Sequence, residues 1–86
     1  MKNKLFGIFT VLGGWNYIGE VEIEGPFWIL KKGKCIRYWG TNSGLGQLEN
    51  GPLESTKLDP ANNVYWHMAA CGPIYPANKE KWEGKY

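Results

Sequence analysis

The sequence predicts a mainly β domain: a small, strongly twisted antiparallel sheet or half-barrel of five to six strands, with one or two short helices. Three observations predict it. Residues 17–24 (YIGEVEIE) alternate apolar or small side chains with glutamates, and a period of two is the signature of a strand. Short runs rich in β-branched and aromatic residues recur at 5–12, 27–30, 35–39 and 64–71. Between them stand Gly-Gly, Gly-Pro and Asp-Pro steps, which punctuate turns rather than helical connections.

Taken in order, 5–12 (LFGIFTVL) reads as the first strand, and Gly13-Gly14-Trp15-Asn16 as a tight connection. The second strand, 17–24, places Tyr17, Gly19, Val21 and Ile23 on one face and Glu20, Glu22 and Glu24 on the other. Those glutamates read as a solvated face that also blunts edge pairing, not as a metal or acid–base site. Gly25-Pro26 turns the chain into a buried strand at 27–30 (FWIL). Lys31-Lys32-Gly33-Lys34 reads as a hairpin tip, and 35–39 (CIRYW) as the returning strand, with Cys35, Arg37 and Trp39 on one face.

Beyond Gly40 the period changes. Thr41, Asn42 and Ser43 are helix N-cap types, Leu45 and Leu48 have helical spacing, and Gly51-Pro52 is a stop signal. Gly44 and Gly46 cost about 1 kcal/mol each in a helix, so one or two turns are expected. Residues 57–63 read as a loop with a turn at Asp59-Pro60, 64–71 (VYWHMAAC) as a strand, and 73–76 as irregular. Residues 77–82 (ANKEKW) read as a short terminal helix docked by Trp82.

At 86 residues, the chain reads as a single domain spanning 1–86. Such a domain hides only roughly 60–65% of the surface its unfolded chain exposes, so reinforcement is expected. The two cysteines, Cys35 and Cys71, lie in apolar runs without a Cys-x-x-Cys pair, and His67 is the single histidine. We therefore expect buried, free thiols, no metal, and a homo-oligomer, dimer or tetramer, as the reinforcement. Neither a cleavable leader nor a membrane span is read from the sequence, and the expected location is the cytoplasm. A net charge of +2 argues against a binder of long nucleic acid.

Aromatic content is the unusual quantity. Five tryptophans in 86 residues exceed what one small core needs, so some are expected to face a ligand or another subunit. Catalysis is hard to assemble: His67 sits among apolar neighbours, and no nucleophile–base pair has supporting local sequence. The 40–46 loop has neither a Walker ending nor the Gly-x-Gly-x-x-Gly fingerprint. No enzyme and no cofactor are expected.

Binding is easier to assemble around CIRYWGTNSGLGQL (35–48). Arg37, the chain's single arginine, is a planar, always-charged fork for a phosphate or a purine edge. Trp39 offers a stacking face, and Thr41, Asn42 and Ser43 offer hydroxyl, amide and backbone N–H donors suited to an anion. Trp15, at the Gly-Gly turn, would supply the opposite wall across a subunit boundary. The same residue types also serve a structural role: Trp39 in the core, Arg37 paired with a strand glutamate, and Ser43 capping a helix.

From Ile36 onward, IRYWGTNSGLGQL, with Gly51-Pro52 and the later β-run, resembles a widespread group of small phage proteins. These show an aromatic-Tyr/Trp-Trp step, a small-polar loop and a Ser-Leu-x-x-Leu pattern after two N-terminal hairpins. The resemblance covers about half of the chain, from Arg37 to Cys71, with Gly44 where Leu is usual and Glu49 where a small residue is common. In size and aromatic content the chain is also similar to anti-CBASS nucleotide sponges, which oligomerise and sequester cyclic dinucleotide immune signals. That similarity implies a non-enzymatic phage protein acting in the host cytoplasm by lowering the free concentration of a small nucleotide. The alternative is a phage accessory protein that binds a host protein through an aromatic surface.

Overall fold

The computed structural model describes residues 3–41, 44–61 and 63–86. Six strands form one antiparallel sheet: β1 Asn3–Val11, β2 Trp15–Glu24, β3 Phe27–Tyr38, β4 Lys57–Ala61, β5 Val64–His67 and β6 Cys71–Pro76. Their order is β4-β3-β2-β1-β6, with β5 also on β3. Two 3-10 turns, Leu45–Asn50 and Met68–Ala70, and one short helix, α1 Lys79–Trp82, complete it. The mainly β class and the antiparallel hairpins are as the sequence predicts.

The three central strands are joined by tight turns at the expected places. Val11 faces Trp15 across the first, where Gly13 and Gly14 take φ values of 95° and 86° that a side chain disfavours. Glu24 faces Phe27 across the second.

One expected hairpin does not exist. Residues 31–34 are not a tip; β3 runs unbroken for 12 residues through them. The cluster of lysines around a glycine imitates a turn, but Gly33 has another task. Gly7 pairs with Gly19 and Gly19 with Gly33, so three glycines stand in register across the three central strands. A Cβ on Gly19 would lie 2.6 Å from the Gly33 Cα. Beside this row the β2–β3 register slips between Glu20 and Val21, a bulge that increases local twist. Glycine inside a strand commonly marks such a sharp bend.

The bend rolls the sheet. In a flat sheet, β5 and β6 would be four strand spacings apart, about 19 Å. The three residues of Met68–Ala70 span roughly 6 Å at 3-10 rise. The ends of this link are tied down: the Met68 N–H donates to the Pro26 carbonyl (2.8 Å), and the Leu12 N–H donates to Ala70 (2.9 Å). Opposite ends of β2 are thereby drawn toward one short segment, in keeping with the predicted strongly twisted sheet or half-barrel; the sheet stays open, with β4 and β6 as its edges.

Rolling creates two apolar clusters. Inside lie Phe9, Val21, Leu30 and Trp66, with half-buried Tyr17, Trp28, Cys71 and Ile74 around them. Rings pack closely there: Tyr17 stacks on Trp66 at 5.7 Å, and Phe9 meets Trp28 edge-on at 6.0 Å. Outside lie Ile8, Ile18, Ile36, Leu48 and Trp82. Trp82 is fully buried, and its indole N–H donates to the Leu48 carbonyl at 2.8 Å. The predicted docking of the terminal helix is thus observed.

Four further expectations are corrected. Residues 57–63 are not a loop: 57–61 form β4, whose place at the sheet edge tolerates Pro60. Residues 73–76 belong to β6, which is likewise an edge. The glutamate face of β2 does not blunt an edge, because β2 is central. It carries the buried Ile18 as well, and Glu20 and Glu22 are half-buried in ion pairs with Lys4, Lys79 and Lys31 at 3.3–3.9 Å. Residues 64–71 are not one strand, since the 3-10 turn Met68–Ala70 interrupts them. No helix among the described residues is long and apolar enough to cross a membrane.

Candidate functional site

The site is built where β3 ends. The β3–β4 register slips between Ile36 and Tyr38, so Arg37 is the extra residue of a bulge, a feature that re-aims side chains. Its Nε donates to Asp59 Oδ1 at 3.0 Å, with the two side chains 64% and 44% exposed. The expected strand-glutamate partner is therefore replaced by an aspartate of β4. An exposed pair of this kind contributes only about 0.2–1 kcal/mol, so it does little to lock the guanidinium in place.

Trp39 lies just beyond the strand, not within it, and is exposed. The backbone beneath it is fixed. Thr56 Oγ1 donates to the Trp39 carbonyl at 2.6 Å and accepts from the Leu53 N–H at 2.9 Å. Gly40 follows at φ 68°, so close to the 53–56 segment that a Cβ would meet the Thr56 nitrogen at 2.6 Å. The glycine after Trp39 is required by this close approach rather than by loop flexibility.

Two clefts adjoin at Arg37. One, of about 300 Å³, is lined by Arg37, Tyr38, Trp39, Gly40 and Thr41. The other, of about 220 Å³, lies between the first β-turn and β3–β4, where Trp15, Cys35, Arg37 and Asp59 line it with Gly14, Asn16 and Ile36. The structure thus brings together Trp15, Arg37, Trp39 and Thr41 of the predicted residues. Trp15 reaches Arg37 within one chain, without a subunit boundary. Asn42 and Ser43 lie outside the described residues. The described end of the adjacent 3-10 turn, Gly44, makes no side-chain cap.

Of the five tryptophans, Trp66 and Trp82 are buried and Trp28 is half-buried, while Trp15 and Trp39 are exposed. The excess over core needs falls on the two predicted as walls. Sequence reasoning missed Asp59 and Tyr38. Asp59 was hidden because Asp-Pro reads as a turn, although proline is also an edge-strand residue. Strand alternation puts Tyr38 on the face opposite Arg37, yet the bulge leaves it exposed on the same cleft.

The remaining chemistry-bearing groups have local roles. His67 is exposed at the end of β5, where its Nδ1 accepts from the Ala69 N–H at 3.0 Å and caps the 3-10 turn. Cys35 and Cys71 are free and half-buried, rather than largely buried. Burial pushes both thiols above their ordinary pKa, and the Asp59 carboxylate pushes Cys35 further. Among the described residues no three His, Cys, Asp or Glu side chains are grouped to hold a metal ion.

Against family models, curated proteins and solved structures, the chain gives no match.

Proposed function

We propose that the protein is a non-enzymatic binder of a small nucleotide, held against Arg37 between the faces of Trp15 and Trp39. One observation carries this reading: two exposed tryptophans stand in adjoining clefts on either side of the chain's single arginine. Stacking on an aromatic face is worth about 1–3 kcal/mol per base and tolerates any base. An arginine fork adds a charge-assisted contact to phosphate. No bond need be made or broken: a protein in excess over its ligand lowers the free ligand by mass action. A cyclic dinucleotide immune signal is the ligand to test first, which would make the protein a phage sponge in the host cytoplasm. A homo-oligomer, dimer or tetramer, belongs to the same proposal, because exposed Leu12, Trp15, Tyr38 and Leu53 leave apolar surface to cover.

Native mass spectrometry with a nucleotide panel tests both parts. The expected result is a multimer of the 9.8 kDa chain carrying a stoichiometric nucleotide. A bare monomer at micromolar concentration would end the proposal. A second reading, docking to a host protein, is favoured by another exposed apolar patch, where Phe27, Tyr65 and Met68 cluster at the paired ends of β3 and β5.

A further inference from the structure

We propose that Asp59 and Arg37 together read the edge of a guanine base stacked on Trp15, an inference that rests on the nucleotide reading above. The cleft between the β1–β2 turn and β4 measures about 220 Å³, below the roughly 300–1,000 Å³ of sites that enclose a whole drug-sized ligand. It is sized for one planar ring, with the rest of the ligand passing Arg37 into the neighbouring cleft. Trp15, 58% exposed, supplies the stacking wall.

The polar side of the cleft decides which ring. The Arg37–Asp59 contact uses Nε and Oδ1, and neither side chain has another hydrogen-bond partner among the described residues. Among the described residues nothing else engages the terminal guanidinium nitrogens or Oδ2, which face a ligand in this proposal. An ionised carboxylate only accepts, and a guanidinium only donates. The cleft therefore presents acceptors directly beside donors.

Guanine is the complementary base. Its N1–H and N2 amino group donate side by side, which suits a carboxylate, and O6 and N7 follow as acceptors for an arginine. Adenine places a lone pair at N1, opposite the carboxylate. Cytosine and uracil offer one donor group at that edge rather than two. The ion pair need not be dissolved on binding, since its two free ends turn to the ligand together.

The test is calorimetric titration of the full chain with GMP, AMP and inosine monophosphate, each also titrated against Asp59→Asn. The expected result is GMP about ten-fold tighter than AMP, the scale of one good bidentate base contact. Inosine monophosphate, lacking the N2 amino group, should fall between them. In Asp59→Asn the preference for GMP over AMP should vanish, because an amide can donate to adenine N1 as readily as it accepts from guanine. Equal binding of GMP and AMP by the unsubstituted protein would overturn the base assignment and leave the nucleotide reading standing. Binding of neither would overturn the base assignment, and failure of cyclic dinucleotides in the same titration would overturn the nucleotide reading with it. The comparison among the three nucleotides needs no variant, so it decides the question even if Asp59→Asn fails to fold.

Discussion

Arg37 and Asp59 meet at 3.0 Å on neighbouring strands, the arginine largely in solvent and the aspartate half-buried. The pair sits on a β-bulge at the junction of two clefts, a position that contributes little to stability. Removing Arg37 should therefore separate the two. The Arg37→Ala variant is expected to lose about 1.5–3 kcal/mol of nucleotide affinity, the worth of a charge-assisted hydrogen bond. Its melting temperature should stay within a few degrees, since an exposed pair contributes about 0.2–1 kcal/mol. Titration calorimetry and thermal melting on the same sample check both. Early melting with intact binding would make the pair structural.

Trp39→Ala should weaken binding with only modest loss of stability. The ring is exposed, and the contact that fixes this segment is made by its backbone carbonyl with Thr56. A stacked base lost from an aromatic face costs about 1–3 kcal/mol. Quenching of tryptophan fluorescence by nucleotide should shrink in this variant. Unchanged affinity would remove Trp39 from the site.

The glycine row makes a sharper demand on the fold. A Cβ at Gly33 would lie 2.9 Å from Leu30 Cδ1 and 3.0 Å from the Gly19 Cα. Gly33→Val is expected to cost at least the 1–3 kcal/mol of ordinary overpacking, lowering the melting temperature by roughly 10 °C or more in a domain this small. Gly46→Ala is the contrast, because its Cβ would touch only the Tyr75 ring at 3.3 Å. Equal melting temperatures for the two variants would show that the row is not where the sheet bends.

What was legible in the sequence divides along the same line. Period-two alternation and turn dipeptides located β1, β2 and the two ends of β3, because they are local signals. The unbroken passage of β3 through 31–34 was not legible, since Lys31-Lys32-Gly33-Lys34 carries every local mark of a turn. Only pairing with Gly19 on one side and Ala61 on the other shows Gly33 to be strand interior. Trp15, Arg37 and Trp39 were legible as a candidate site from residue type alone. Asp59 was not, because its relation to Arg37 depends on β4 lying beside β3, a contact 22 residues apart in the chain.

Trp82 tests how much the outer cluster contributes. It is the largest fully buried side chain, and it ties α1 to the 3-10 turn through the Leu48 carbonyl. Trp82→Ala is expected to cost about 3–5 kcal/mol. Set against a total of roughly 4–13 kcal/mol for a chain of this length, that is enough to leave the variant largely unfolded or sharply less stable. Trp82→Phe keeps much of the packing and loses the hydrogen bond, so denaturant unfolding should place it between the two. A Trp82→Ala midpoint equal to that of the unsubstituted protein would mean that α1 is an ornament of the sheet rather than part of its core.

The thiols set the response to alkali. Burial raises Cys35 and Cys71 above their ordinary value of 9.0, with Asp59 adding to the effect on Cys35. The buried Trp66 indole N–H, which has no hydrogen-bond partner of good geometry, partly offsets the effect on Cys71 by favouring its thiolate. Tyr17 is raised above 10.0 by burial and by Cys35. A group that holds its proton more tightly when folded stabilises the protein fully below its unfolded pKa, and that contribution is lost as pH rises through the folded value. Stability should thus be flat near pH 7 with respect to these groups and fall above about pH 9, the ordinary thiol value. Both thiols should alkylate slowly at pH 7, since the thiolate is the nucleophile. Melting temperatures at pH 7, 9 and 10 should drop less steeply in the Cys35→Ala, Cys71→Ala double variant, with Tyr17 supplying the remaining slope. In Asp59→Asn, Cys35 should alkylate faster, because a neighbouring negative charge has been removed. Rapid labelling of Cys35 at pH 7, or an alkaline slope unchanged in the double variant, would contradict the half-buried, Asp59-flanked thiol described here.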